Sequence, residues 1–217
     1  MPREDFERNL KLVQDEVILL SSMVEKAIFK SIDSLKRRDL ESSQQVVDED
    51  DAIDQKQEDI ENTCIDLIAL EAPMAGDLRE IIAAMMVANE LERMGDYAEG
   101  IAKISLAMGE LPPLKPLIDI PRMADKAVDM LQRSIKSYVN RDIEAAAEVF
   151  NDDDAVDEMY DQVYRELLTY MMSDPGTIQR ATYLLWVSHD LERVADRTTN
   201  IAERVMFLVT GKTEMDI

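Results

Sequence analysis

The sequence predicts an all-α protein made of two tandem three-helix bundles related by internal duplication, six helices in all. Three observations predict it. Apolar residues recur at steps of three and four over long stretches, which is the period of a helix with one buried face. Glycine is scarce, with 6 in 217 residues, so tight turns are few and the elements between them are long. Motifs of the first half return in the second at a nearly constant displacement, the mark of a repeated structural unit. Composition agrees: aromatics are only 5% while methionine reaches 14, a balance that suits aliphatic helix packing better than a sheet.

The first helix is read from Phe6, Leu10, Val13, Val17, Leu20, Val24, Ile28, Ile32 and Leu35. Neither proline nor glycine interrupts residues 4–71, so the break expected at Arg38-Asp39 rests on charge rather than on a helix breaker. The second helix carries the stripe Val46, Ile53, Ile60, Cys64 and Leu67. A break follows at Ala72-Pro73-Met74-Ala75-Gly76, after which Asp77 is expected to cap the third helix, with Glu80 completing a capping box. That helix buries Val87, Leu91, Met94, Ala98 and Ile101 and stops near Gly109. Leu111-Pro112-Pro113-Leu114-Lys115-Pro116 is the strongest linker signal in the chain. The expected organisation is a first bundle at 1–110, a proline-rich linker at 111–120 and a second bundle at 121–217.

The second half then repeats the first. Arg38-Asp39-Leu40-Glu41 returns as Arg141-Asp142-Ile143-Glu144, and Asp50-Asp51-Ala52-Ile53-Asp54 as Asp153-Asp154-Ala155-Val156-Asp157, both displaced by 103. Leu91-Glu92-Arg93 with Asp96, Ile101 and Ala102 returns as Leu191-Glu192-Arg193 with Asp196, Ile201 and Ala202, displaced by 100. The change of offset falls in the loop around Ser173-Asp174-Pro175-Gly176, the counterpart of the loop at Pro73. Similar helices that merely share a composition would not keep a constant offset.

Charge narrows the function. Against 46 acidic residues stand 24 basic ones, a formal net charge of −22. Such a surface repels phosphate backbones, which argues against a nucleic-acid partner, and repels an anionic membrane leaflet. It suits cations or a basic patch on another protein. Cys64 is the single cysteine, so no internal disulfide forms and a reducing compartment is expected. No apolar run approaches the roughly 20 residues of a membrane span, and no apolar stretch follows the opening Met-Pro-Arg-Glu-Asp. A cytoplasmic location is expected, with membrane association only through partners.

The acids are placed by the duplication. With the second and third helices folded back as a hairpin about Pro73, Asp54 comes level with Glu92, and Asp51 with Asp96. About Pro175, Asp157 comes level with Glu192, and Asp154 with Asp196. Glu92 and Asp96 share a helix face at i, i+4, and Asp51 and Asp54 do so at i, i+3. Counting ~100° per residue puts them off the core stripe, lining an outer groove of each bundle. Four carboxylates at one level repel one another unless positive charge lies between them. Arg93 and Arg193 supply part of it, and a divalent or trivalent metal ion (iron, zinc, manganese or magnesium) would supply more. The candidate metal ligands are therefore Asp51, Asp54, Glu92 and Asp96 in one half and Asp154, Asp157, Glu192 and Asp196 in the other. The plainer alternative is a solvated acidic face.

Catalytic machinery is not evident. His189 is the only histidine, so a di-iron centre built on two Glu-x-x-His motifs cannot be assembled, and the residue reads as polar surface. No nucleophile–base pairing recurs and no glycine-rich phosphate loop is present. Met85, Met86, Trp186 and Cys64 read as core packing, and Gly95 and Gly100 as positions of close helix approach. The expectation is a protein that is not an enzyme.

Ala88-Asn89-Glu90-Leu91-Glu92-Arg93-Met94-Gly95-Asp96, together with Asp190-Leu191-Glu192-Arg193-Val194-Ala195-Asp196 and Thr199-Asn200-Ile201-Ala202-Glu203, resembles the paired Glu-Arg-x-Gly-Asp signatures of the PhoU family. The resemblance spans essentially the whole chain, including its length, its duplication and the Asp-x-x-Asp motif of each second helix. Ala195 stands where the family often has glycine, and Gly100 and Lys103 replace the asparagine and glutamate that the second half keeps as Asn200 and Glu203. The resemblance implies a six-helix regulator of phosphate-specific transport that binds metal clusters through the repeated motifs. It implies negative regulation of high-affinity phosphate uptake and of the phosphate-starvation response. It further implies two partners, the phosphate transporter ATPase and a sensor histidine kinase. A homodimer is expected by resemblance, with weak support from the exposed-looking Phe6 and Phe207. Two other readings stay open: a metal-storage or metal-buffering protein using the same grooves, and a helical adaptor whose acids bind nothing.

Overall fold

The computed structural model describes residues 3–71 and 73–212. Six long helices make up the described residues, and no strand occurs among them: α1 (Arg3–Arg37), α2 (Leu40–Glu71), α3 (Ala75–Met108), α4 (Asp119–Asn140), α5 (Ile143–Ser173) and α6 (Ile178–Thr210), with a short 3-10 turn at Pro175–Thr177 before α6. Helices α1, α2 and α3 form one antiparallel bundle and α4, α5 and α6 the other, while α3 packs on α6 and α1 on α4 between them. The buried residues of both halves form one continuous core.

The break at Arg38-Asp39 is real, and its chemistry repeats. Arg38 and Arg141 adopt left-handed backbone at φ 60° and 55°, a conformation that ends a helix at some steric cost for a non-glycine residue. Each is followed by an aspartate that starts the next helix: the Asp39 carboxylate accepts from the Ser42 backbone N–H at 3.0 Å, and the Asp142 carboxylate from that of Ala145 at 3.0 Å. The duplication thus extends to single hydrogen bonds.

The start of α3 differs from the expectation. The helix opens at Ala75 with Met74 as its N-cap and no side-chain capping bond, so Asp77 lies inside the first turn. There it favours the positive end of the helix dipole instead of capping it. The neighbouring Ala72 lies outside the described residues. Gly109, at φ 56°, turns the chain from α3 into the proline-rich segment that leads to α4.

The predicted stripes are buried: Val17, Leu20, Val24 and Ile28 of α1, and Val87, Leu91, Met94 and Ala98 of α3, have no accessible surface, and Cys64 is likewise core. Two expected core residues are not. Met86 is 40% exposed and Trp186 52%, because both sit on the outward side of α3 and α6; Trp186 stacks edge-on against Tyr183. Phe6 follows the α1 stripe and not its exposed-looking reading, buried at 4%, and Phe207 is half-buried against the core. No helix is long and apolar enough to cross a membrane among the described residues.

Candidate metal centres

The first acidic group is built by the α2–α3 contact. Gly95 makes that contact close: a Cβ there would stand 3.0 Å from Ile53 Cγ2 and 3.4 Å from Asp50 Oδ1. Asp50, Asp54 and Asp96 each offer a carboxylate oxygen, all within 4.8 Å of one another. Glu92 lies one turn before Asp96 and Glu99 just beyond it. Burial, followed by the charges of Glu99, Asp54 and Asp96, pushes the Asp50 carboxyl up to about 7. Burial and then neighbouring carboxylates also raise Glu92 and Asp96, with Arg93 opposing. Lys103 bonds Glu99 at 2.5 Å and brings a positive charge to the edge of this group.

The second group gathers the corresponding acids of α5 and α6, without the three oxygens within 4.8 Å of one another that mark the first among the described residues. Burial, then Asp196, Asp157, Glu192 and Asp154, raises Asp153 to about 6. Asp157 and Glu192 are raised by burial first and by Asp196 next. Arg193 pairs with Asp196. Asp153 Oδ1 and Glu192 Oε2 are buried with no hydrogen-bond donor. Buried carboxylate oxygens without a donor are costly unless a positive charge satisfies them. An all-oxygen donor set of this kind fits a hard cation.

Six of the eight sequence-chosen acids therefore lie in two clusters: Asp54, Glu92 and Asp96, and Asp157, Glu192 and Asp196. Asp51 is exposed, as Asp54 is, and is not among the three carboxylates whose oxygens lie within 4.8 Å of one another. Asp154 is also exposed, though its charge is felt by Asp153 and Asp157. The innermost carboxylates are Asp50 and Asp153, one residue earlier, which the level-matching argument passed over. The signal was present: Asp50 follows Val46 by four and precedes Ile53 by three, an acid on an apolar stripe, and Asp153 stands likewise between Val149 and Val156.

The two halves differ where the bundles meet. Glu90 accepts from Arg197 Nη1 at 3.3 Å and from Asn200 Nδ2 at 3.1 Å. Its counterpart Asp190 faces Gly100, whose missing Cβ would lie 3.2 Å from Asp190 Oδ2. His189 is exposed at the surface, with Nδ1 3.7 Å from Asp190.

Comparison with known proteins agrees with this architecture. The PhoU domain family model matches residues 17–105 and again 120–205. The phosphate-specific transport system accessory protein PhoU homolog of Aquifex aeolicus is 40% identical over 205 residues, covering 94% of this chain and 93% of its own. The homolog from Clostridium acetobutylicum is 36% identical over 213 residues, covering 98% and 97%. Among solved structures, PhoU from Pseudomonas aeruginosa aligns with a TM-score of 0.90 at 32% identity over 95% of this chain and 100% of that one. The phosphate transport system regulatory protein PhoU from Streptococcus pneumoniae aligns at 0.89 with 30% identity, over 97% and 99%. With two family-model matches in register with the two bundles and relatives of this identity along nearly its whole length, the chain belongs to the PhoU family.

Proposed function

We propose that this protein is a negative regulator of phosphate uptake and of the phosphate-starvation response, acting by contact between the phosphate transporter ATPase and a sensor histidine kinase. Its relatives are named accessory proteins of the phosphate-specific transport system, which supports a role alongside a phosphate transporter. The observation that carries the reading is the duplicated carboxylate group, two inner acids each surrounded by others, on a chain of the same family and length.

Asp50, Asp54, Glu92 and Asp96 would hold metal ions in the first bundle, and Asp153, Asp157, Glu192 and Asp196 in the second. When bound, such ions supply the positive charge that lets these acids sit together ionised. The residues themselves do the rest: without neutralisation the acids of α2 and α3, and of α5 and α6, push those helices apart. The outer faces of the two hairpins are then surfaces whose geometry depends on cation binding. A coupling of ~1–3 kcal/mol between transporter state and kinase state is ordinary for such a switch.

Deleting the gene in its host under ample phosphate tests this. Phosphate-starvation genes should switch on and intracellular phosphate should rise. If both stay at wild-type levels while cellular iron or manganese falls, the metal-storage reading replaces this one. A homodimer belongs to the same proposal; light scattering that returns the 24.7 kDa monomer mass at micromolar concentration would remove it.

A further inference from the structure

Beyond the first acidic group along α3, the end of the first bundle carries a cavity of about 490 Å³, within the roughly 300–1,000 Å³ of small-molecule sites. Its walls are apolar, among them Leu35, Met108, Leu114 and Leu184, closed on one side by the linker that carries Pro113 and Pro116. Proline fixes φ, so this wall is held in place by the backbone and does not need a ligand to shape it.

The charge of the lining is opposite to that of the chain. Acids outnumber bases 46 to 24 overall, yet the lining contains no aspartate or glutamate and includes Lys36, Arg38 and Lys115. Lys115 is buried and paired with Glu166, so its charge is spent. Lys36 and Arg38 are exposed at the rim and make no ion pair among the described residues. The duplication shows what a satisfied version looks like. Arg141, the counterpart of Arg38, pairs with Glu80. The counterpart of Glu80 is Arg180, whose guanidinium donates to the Pro112 carbonyl of the linker at 3.2 Å. Where the first bundle offers Arg141 the carboxylate of Glu80, the second carries the cation Arg180 at the equivalent position.

We infer that this cavity binds an amphipathic anion, an aliphatic chain lying against the leucines and Met108 with a carboxylate or phosphate head on Lys36 and Arg38. The apolar wall alone would take any aliphatic body. The two unpaired cations select the sign of the head, because the surrounding −22 field repels anions everywhere that local positive charge does not offset it.

Calorimetric titration of the full chain with laurate, dodecyl phosphate and dodecyltrimethylammonium, each below its critical micelle concentration, tests this. At least one anion should bind saturably at one per chain, and the tighter of the two identifies the head. The cation should bind at least about tenfold more weakly. The double variant K36E/R38E, at exposed positions, should keep its helical circular dichroism and weaken the anion about tenfold or more. K11E/R165E, an equal change of net charge elsewhere, should leave binding within about twofold of wild type. Failure of both anions to bind, equal binding of the cation, or equal weakening by the two double variants would overturn the inference. None of these outcomes depends on the acidic groups or on metal.

Discussion

Asp50 shows what a single residue does in this fold. Its neighbours on the α2 stripe, Val46 and Ile53, are core, and it is the one position there that carries charge inward. Burial first and three acids next lift its carboxyl from 3.8 to about 7. An acid whose folded value lies above its unfolded one stabilises the fold fully below the unfolded value and loses that contribution as pH climbs to the folded one. Metal-free protein should therefore lose stability between about pH 4 and pH 7 through this group, and Asp153 should add a similar loss ending near 6. Asp50→Asn should raise the melting temperature of metal-free protein at pH 8 by about 2–4 °C, the response of a chain this size to about 1 kcal/mol once solvent screening is allowed for. The same variant should retain less metal after purification without chelator. A variant that melts lower in the metal-free state would mean the carboxylate is held by donors and not penalised. Reading the acids by level along a hairpin located Asp54, Glu92 and Asp96 but favoured Asp51 over Asp50, because level says nothing about which way a helical position faces.

At the scale of elements, repeated local chemistry made the architecture legible. Both Arg-Asp turns combine a left-handed residue with an aspartate cap, and a cap is set by neighbours close in sequence. Asp142→Ala removes the bond to the Ala145 N–H and should cost about 1 kcal/mol, a fall of about 2–4 °C in thermal melting. Asp39→Ala should lower stability in the same direction. Gly95→Leu tests the α2–α3 approach. A side chain there meets Ile53 at once, and overpacking of that contact should cost about 1–3 kcal/mol in urea unfolding while Ala195→Gly costs less. What periodicity could not supply was the outward turn of Met86 and Trp186. It depends on how the α3–α6 contact closes, which joins residues a hundred or so positions apart. The start of α3 escaped for a related reason: the Asp77–Glu80 pattern fits a capping box, but the backbone becomes helical two residues earlier, at Ala75.

Over the whole molecule, the two bundles share one core while each holds its own acidic group on α2 and α3 or on α5 and α6. Two different repulsions then act on one fold. The first is the diffuse field of a −22 chain, which any salt screens. The second is local, centred on the buried Asp50 and half-buried Asp153, where solvent screens less than at the exposed acids around them. Potassium chloride should raise the melting temperature of metal-free protein gradually, without saturating at a fixed stoichiometry. A divalent cation at far lower concentration should raise it further and saturably, since binding to the native state alone adds about 2.7 kcal/mol when the free ion is at 100 times its dissociation constant. The double variant D50N/D153N separates the two effects. It should keep the gradual response to potassium chloride, because its net charge changes by only two of twenty-two, and lose most of the saturable one. Thermal melting of wild type and variant across both titrations provides the measurement. A saturable divalent response that survives in D50N/D153N would place the bound cation on other acids of the surface and leave the inner carboxylates without the role assigned to them.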